Sequence, residues 1–134
     1  MGLPGAGKTY LAERLQTHLK CAWYNADVIR GAANDWDFTP EGRQRQARRM
    51  RVFADFESNN ERIVICDFVA PTEQARDAFD ADVVIWMNTI TEGRFEDTNK
   101  MFENPQFKDF EITHFMSDED IANLADELEG WAIV

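Results

Sequence analysis

The chain has 134 residues and a mass of 15.5 kDa, the size of a single domain. Its formal net charge of −11 argues against non-specific binding to nucleic acid or to an anionic lipid surface, because phosphate groups attract basic proteins. Cys21 and Cys66 have no metal-ligand spacing and fit a reducing cytosol better than a disulfide framework. Without a signal peptide or a long apolar run, we expect a soluble, cytoplasmic protein.

Residues 2–9 spell the pattern G-x-x-x-x-G-K-T, which is typical of a phosphate-binding loop. In this motif the glycines let backbone N–H groups turn toward nucleotide phosphates, the lysine neutralises phosphate charge, and the threonine hydroxyl ligates Mg²⁺. A helix predicted over residues 9–20 follows directly, and its N-terminus favours the same phosphates. The residues expected to contact the nucleotide are Gly2, Pro4, Gly5, Ala6, Gly7, Lys8, Thr9 and Tyr10, with Lys8 catalytic and Thr9 a metal ligand.

A phosphate-binding loop ordinarily follows a buried β-strand. Only Met1 precedes Gly2 here, so we expect the first strand of the sheet to be missing from the chain. Either the chain is a fragment, which is the favoured interpretation, or its sheet lacks a central member.

The remaining sequence predicts alternating strands and helices. Buried strands are expected at 62–67 and 82–88, further strands at 21–25 and 107–113, and helices at 39–59, 71–80 and 117–130. Residues 27–38 are predicted to be irregular, and residues 92–102 to form a polar, mobile helix. This alternation indicates an α/β fold, in which helices cover both faces of a parallel sheet. Because ligands bind at the carboxyl ends of such strands, the loop and the segments 25–30 and 67–71 are expected to share one rim.

Three polar residues near strand ends are candidates for chemistry. Asp67 closes an apolar strand, where nucleotide-binding sheets often hold Mg²⁺. Asp27 is suited to orient or deprotonate an attacking hydroxyl, and Arg30 to hold an anionic acceptor. The alternative for Asp67 is an ordinary turn residue, and for the other two a solvated salt bridge.

Arginines are concentrated between residues 30 and 51 of this acidic chain. Arginine binds phosphate or sulfate through two parallel hydrogen bonds, so this group predicts an anionic-substrate site, although Arg51 and about half of the others are expected to pair with carboxylates instead. Arg94 and Lys100 lie in a segment that we expect to close over the nucleotide, with Arg94 catalytic. Trp36 and Phe38 are candidates to stack on a base. His18 and His114 are expected to be surface or packing residues.

The order of these motifs resembles adenylylsulfate kinase. The loop is followed by N-A-D-V-I-R from Asn25, then N-D-W-D-F-T-P-E-G-R-Q-R-Q-A-R-R from Asn34, then D-F-V-A-P from Asp67. The resemblance covers residues 2–80 in register and extends more loosely to about 113. It implies a three-layer phosphate-loop kinase fold over one domain, residues 1–134, with a lid at about 91–104. The positions that match the family's substrate site are Asp27, Arg30, Asn34, Phe38, Arg43, Arg48, Val69 and Pro71.

Several positions depart from the family pattern, which has D-G-D where this chain has Asn25, Ala26 and Asp27. The leading hypothesis is a kinase that uses ATP and Mg²⁺ to phosphorylate the ribose 3′-hydroxyl of adenylyl sulfate. The alternatives are a kinase of another nucleotide or of a hydroxymethylated DNA base, and an ATP-binding module without turnover. The small size resembles the kinases of tailed phages, and the family's members are commonly dimers.

Overall fold

The computed structural model describes residues 1–132 of the chain. Its helices are α1 (Lys8–Leu19), α2 (Ala26–Ala33), α3 (Pro40–Asn59), α4 (Glu73–Phe79), α5 (Glu96–Met101) and α6 (Asp118–Ala132). Its strands are β1 (Ala22–Asn25), β2 (Val64–Asp67), β3 (Ile85–Met87) and β4 (Phe110–Ile112).

Two helices begin at the capping residues that the sequence predicts. The hydroxyl of Thr39 accepts a hydrogen bond from the Gly42 amide at 3.1 Å, and Pro40 takes the first helical position of α3. Ser117 and Asp120 form a reciprocal pair at the start of α6, since each backbone amide donates to the other side chain at 3.1–3.2 Å. These contacts satisfy amides that have no partner inside the helix.

The prediction that residues 27–38 are irregular is wrong for α2. The side-chain oxygen of Asn25 accepts from the Val28 amide at 3.1 Å and caps this helix. Ile29 and Arg30 are buried on its inner face. Only eight residues are helical, too few for the apolar period of a helix to emerge from a polar sequence.

The strands form two parallel pairs, with β1 beside β2 and β3 beside β4. Successive side chains of β2 point to opposite faces. Ile65 packs with the apolar residues of α1 and α6, whereas the Cys66 thiol lies 4.0 Å from the Met50 carbonyl of α3. Helices therefore cover both faces of the strands, which confirms the three-layer α/β fold.

The sheet is split between β2 and β3. Within residues 1–132 no strand precedes the phosphate-binding loop, as expected, and a cavity of about 630 Å³ lies between these two strands. We predicted that β2 would be a buried strand, which is wrong for Val64, Ile65 and Cys66, because these residues border the cavity and are only half-buried.

Cys21 and Cys66 are both free thiols. Burial raises the pKa of the Cys66 thiol to about 12, so this side chain behaves as a small apolar group. His18 and His114 are exposed, as expected. No helix within the described residues has the length and apolar character needed to cross a membrane.

Candidate active site

The loop from Gly2 to Gly7 begins beside the edge of β3 and ends at the first residue of α1. Gly7 precedes the first residue of α1 with φ of 96°, in the left-handed region that only glycine adopts without strain. Gly2 passes so close to β3 that an added Cβ would lie 2.6 Å from the Met87 carbonyl oxygen. The hydroxyl of Thr89 donates to the Ala6 carbonyl at 2.8 Å and holds the middle of the loop. The backbone therefore requires glycine at positions 2 and 7.

Lys8 is the first residue of α1, and its ammonium folds back over the loop. It donates to the Leu3 carbonyl at 2.9 Å. Desolvation lowers the pKa of this ammonium, while the carboxylates of Asp67 and Asp27 oppose that shift. The lysine thus lies near two acids, beside helix-terminal amides that have no acceptor within α1.

A small polar cluster follows Lys8 at the ends of β1 and β2. The Thr9 hydroxyl donates to Asp67 Oδ2 at 3.0 Å, and the Asn25 side-chain amide donates to the same oxygen at 3.0 Å. Asp67 is only 5% exposed. The register pairs Asn25 with Asp67 across the two strands, so the sheet itself brings these residues together.

This cluster fits a magnesium ion. Mg²⁺ prefers oxygen ligands and is usually held by one or two protein groups together with water and substrate phosphates. The Thr9 hydroxyl and the Asp67 carboxylate supply two adjacent oxygens next to the phosphate-binding loop. No group of three or more acidic, histidine or cysteine side chains suited to a metal occurs within residues 1–132.

Asp27 and Arg30 lie on α2, one turn apart. Asp27 is exposed, and its negative charge partly opposes the desolvation that lowers the pKa of Lys8 and of Arg30. Arg30 is only 4% exposed, and it donates to the carbonyls of Asp35 at 2.8 Å and Asp37 at 3.1 Å. Burial lowers the pKa of this guanidinium. Asp27 therefore follows the strand end that carries Asn25 and precedes Arg30 by about one turn of α2.

Phe38 projects from the segment between α2 and α3 with two arginines beside its ring. The guanidinium carbons of Arg30 and Arg43 lie 4.4 Å and 5.3 Å from the ring centroid. The Phe38 side chain remains 47% exposed. An exposed aromatic ring beside two cations is suited to a planar, anionic ligand such as a nucleotide. We call Arg30, Phe38 and Arg43 the aromatic clamp.

Asp35 organises the segment that carries Phe38, a role that the sequence did not reveal. Its carboxylate accepts from Arg45 at 2.7 Å and 3.0 Å, and from Arg49 at 2.7 Å. These two guanidinium groups hold the pKa of Asp35 well below its usual range. Arg45 and Arg49, like Arg51 with Asp55, are thus occupied by carboxylates, as expected for part of the arginine group.

The segment 91–104 is tied to the rest of the site at three points. Arg43 donates to the buried Thr98 hydroxyl at 2.8 Å. Gly93 packs against the loop, since an added Cβ would lie 3.0 Å from the Pro4 carbonyl oxygen. The Glu103 amide donates to the Pro71 carbonyl at 2.7 Å. The proposed lid is therefore coupled to the aromatic clamp and to the phosphate-binding loop.

Five further residues that the sequence predicts to contact nucleotide or substrate are Asn34, Arg48, Val69, Arg94 and Tyr10. Asn34 ends α2 with φ of 50° and is exposed. Val69 receives a hydrogen bond from the Gly2 amide at 3.3 Å, and Arg48 is exposed on α3. Arg94 is exposed, with its guanidinium 5.2 Å from the Phe95 ring centroid. The exposed ring of Tyr10 stacks on Arg14 at 3.3 Å.

Known proteins share the sequence of this phosphate-binding loop and of the segments that follow it. The family model for adenylylsulphate kinase matches residues 1–91. A probable adenylyl-sulfate kinase from Aeropyrum pernix is 40% identical over 84 residues, an alignment that covers 56% of this chain and 44% of the relative. The chain thus spans less than half of that relative's length.

Solved structures share the fold at lower identity. The adenylylsulfate (APS) kinase of Mycobacterium tuberculosis, in complex with AMPPNP and APS, has a TM-score of 0.74 at 18% identity, with 100% of this chain and 95% of that chain covered. A sugar kinase from Janibacter also has a TM-score of 0.74, at 16% identity, with 97% and 91% covered. The two structures show that the fold is that of phosphate-loop kinases.

Proposed function

Since this chain belongs to the adenylylsulphate kinase family, a family of phosphotransferases, we propose that it transfers the γ-phosphoryl group of ATP to the ribose 3′-hydroxyl of adenylyl sulfate. The observation that carries the proposal is the position of Asp27. It lies in the first turn of α2, two residues after Asn25, which bonds to Asp67 beside the phosphate-binding loop, and three residues before Arg30 of the aromatic clamp. A donor nucleotide on the loop and an acceptor on the clamp would meet at this residue.

The loop binds the donor in this proposal. The amides at the start of α1 and the Lys8 ammonium hold the β- and γ-phosphates and neutralise their charge. Thr9 and Asp67 would hold Mg²⁺. That ion supplies electrostatic stabilisation of the charge on the transferring phosphoryl group.

The clamp binds the acceptor. Phe38 stacks on the adenine, while Arg43 and Arg48 neutralise the phosphate and sulfate of adenylyl sulfate. Asn34, Val69 and Pro71 complete the same rim as the remaining substrate contacts. Arg30, already bonded to the carbonyls of Asp35 and Asp37, positions the ring of Phe38.

The phosphoryl transfer requires a proton acceptor for the 3′-hydroxyl and the displacement of ADP from the γ-phosphorus. Asp27 accepts the proton of the 3′-hydroxyl, and the oxygen of that hydroxyl attacks the γ-phosphorus of ATP. The bond between that phosphorus and the β,γ-bridging oxygen breaks, and ADP leaves. Arg94 of the lid supplies a cation to the transferring group when the segment closes.

A product assay tests the proposal. The protein is incubated with ATP, Mg²⁺ and adenylyl sulfate, and products are identified by mass spectrometry. We expect a phosphorylated adenylyl sulfate and an equal amount of ADP, both lost in Lys8→Ala and retained in Lys20→Ala, which removes an exposed lysine after α1. Formation of ADP without a phosphorylated acceptor, or equal activity in Lys8→Ala, would contradict the proposal.

A second class of acceptor is tested alongside adenylyl sulfate. The sugar kinase from Janibacter is as similar in fold as the APS kinase of Mycobacterium tuberculosis, so the fold is compatible with more than one acceptor. The same assay is therefore run with other nucleotides and with a short DNA that contains hydroxymethylated bases. Faster phosphorylation of one of these than of adenylyl sulfate would move the acceptor assignment to that class.

A further inference from the structure

Asn25 is the last residue of β1 and directly precedes α2, so its side chain lies between two parts of the candidate site. Its amide nitrogen donates to Asp67 Oδ2 at 3.0 Å and lies 3.3 Å from the Thr9 hydroxyl oxygen. Its side-chain oxygen accepts from the Val28 backbone amide at 3.1 Å. Both polar ends of one side chain are therefore used, and each serves a different element.

The neighbours of Asn25 determine which type of side chain fits there. The Val28 amide can only donate, so it needs an oxygen, whereas an ionised Asp67 can only accept, so it needs an N–H group. Asparagine supplies both groups at once. Serine could cap the helix with its oxygen, but its hydroxyl ends one bond short of the position that the amide nitrogen of Asn25 occupies. Alanine could make neither contact.

The nitrogen end of Asn25 holds a carboxylate that is suited to Mg²⁺. Within residues 1–132, the donors to Asp67 from Asn25 and Thr9 both engage Oδ2 and leave Oδ1 for a ligand. Thr9 gives its one hydroxyl proton to Asp67, so a lone pair of its oxygen stays available to a cation. Because Mg²⁺ demands nearly ideal octahedral geometry, a carboxylate that is already oriented binds it better.

The oxygen end of Asn25 fixes the start of α2. This helix carries Asp27 in its first turn, where the backbone amides have no partner inside the helix. The cap satisfies one of these amides and sets the direction in which the helix leaves the strand. The same side chain thus orients the metal ligand and the helix of the proposed base.

Positions 25 and 67 are also equivalent in their placement. The parallel register pairs Asn25 with Asp67 on adjacent strands, which lie about 4.8 Å apart. Both side chains reach the Thr9 hydroxyl, at 3.3 Å and 3.0 Å. An amide and a carboxylate could therefore exchange places and keep one negative charge beside Thr9.

We propose that Asn25 is a positioning residue, whose nitrogen orients the Asp67 carboxylate for Mg²⁺ and whose oxygen caps α2 and so fixes Asp27. The inference rests on the proposed function, because it takes Thr9 and Asp67 as the residues that hold Mg²⁺ and Asp27 as the proton acceptor. It adds that the carboxylate can stand at either position 25 or position 67, provided that the other position supplies the amide.

Calorimetric titration of ATP with and without Mg²⁺ tests the metal half of this role without turnover. The quantity compared is the ratio of the two ATP affinities. Asn25→Ser keeps a capping oxygen but loses the bond to Asp67, so the ratio should fall roughly threefold or more, with little change in ATP affinity without Mg²⁺. Asn59→Ser, at an exposed position at the end of α3, is the matched control and should keep the ratio of the wild type.

Asn25→Ala tests the helix half, because it removes the cap as well. We expect its melting temperature to lie about 3 °C or more below that of Asn25→Ser. At saturating Mg²⁺, the rate of phosphoryl transfer should also be lower in Asn25→Ala than in Asn25→Ser, since only the alanine variant leaves α2 without its cap.

The exchange of the two residues tests the pairing directly. In the double variant Asn25→Asp with Asp67→Asn, the carboxylate at position 25 can cap α2 with one oxygen and accept from the new amide with the other. We expect the Mg²⁺ ratio to recover to within about threefold of the wild type, whereas Asp67→Asn alone loses most of it. A role confined to stability of the fold does not predict this recovery.

Three results would overturn the proposal. An unchanged ratio in Asn25→Ser, or the same fall in Asn59→Ser, would refute the metal half. Equal transfer rates in Asn25→Ala and Asn25→Ser would refute the helix half. A double variant no better than Asp67→Asn would show that the two positions are not exchangeable.

The product assay on the wild type separates this proposal from the proposed function. A wild type that phosphorylates adenylyl sulfate, together with an unchanged ratio in Asn25→Ser, would refute only the role of Asn25. A wild type that binds no ATP, or binds it equally with and without Mg²⁺, would refute the role of Asn25 together with the metal site on which it rests.

Discussion

At the scale of single residues, the site depends on groups that the sheet brings together. Asn25 and Asp67 belong to different strands, yet the register of β1 and β2 pairs them. Thr9 reaches the same carboxylate from the start of α1. The role of Asp67 as a strand-ending acid could be predicted from sequence, whereas its bond to Asn25 depends on strand pairing, which a single sequence does not specify.

Asp67→Asn tests the proposed magnesium site. The substitution keeps the size of the side chain but removes its charge and the better metal ligand. We expect the Mg²⁺ concentration for half-maximal activity to rise about tenfold or more, because a carboxylate ligand is lost. The control is Asp55→Asn, which removes a half-exposed carboxylate paired with Arg51 on α3. An unchanged Mg²⁺ dependence in Asp67→Asn would contradict the assignment.

At the scale of elements, the sequence predicts regular segments better than the connections between them. The capping residues Thr39 and Ser117 gave the starts of α3 and α6 because their side chains act locally. Helix α2 was missed because its cap, Asn25, also ends a strand, and because its buried face consists of Ile29 and Arg30. A buried arginine is recognised only when its carbonyl partners in the following segment are known.

Asp35 gives the segment between α2 and α3 a measurable pH dependence. Two guanidinium groups hold the pKa of this carboxyl below its usual value, so its contribution to stability is present above about pH 4. That contribution is lost as the pH falls toward the lowered folded-state pKa. We therefore expect the difference in melting temperature between the wild type and Asp35→Asn to shrink from pH 6 to pH 3.

The control for this measurement is Asp77→Asn, an exposed carboxylate on α4. Its difference from the wild type should stay small across the same range. A constant or growing difference for Asp35→Asn on acidification would show that the ion pairs with Arg45 and Arg49 do not stabilise the fold.

The contact between Arg43 and Thr98 couples the lid to the clamp. Thr98→Val removes the hydroxyl that accepts from Arg43 and leaves a half-buried guanidinium without this partner. Loss of such a hydrogen bond costs about 1–3 kcal/mol. We expect the acceptor KM to rise about tenfold with a smaller change in the KM for ATP.

Thr91→Val is the matched substitution, since Thr91 lies in the same segment but is exposed. It should leave both KM values close to those of the wild type. Equal effects of the two substitutions would mean that the whole segment, and not the contact with Arg43, determines acceptor binding.

At the scale of the whole molecule, the fold is a three-layer sandwich whose middle layer is divided. The alternation of apolar strands and amphipathic helices predicted the layers, and the single residue ahead of the loop predicted a missing strand. In the described residues the two strand pairs are separate, and Met1 and Gly2 bridge them at one end: Met1 bonds to β3, and the Gly2 amide donates to Val69, just after β2.

This division leaves the phosphate-binding loop supported from two sides. Gly2 contacts the carbonyl of Val69, and Met1 pairs with β3. These contacts fix the start of the loop between the ends of β2 and β3. We therefore expect the phosphate-binding loop to bind nucleotide.

The most direct measurement is a calorimetric titration of ATP into the protein in the presence and absence of Mg²⁺, with Lys8→Ala beside the wild type. The account predicts one site per chain, tighter binding with Mg²⁺, and a loss of affinity of about 100-fold in Lys8→Ala, comparable to the loss of one preorganised charged contact. Absence of binding, or equal affinity in the variant, would contradict the assignment of residues 2–9 as the nucleotide site.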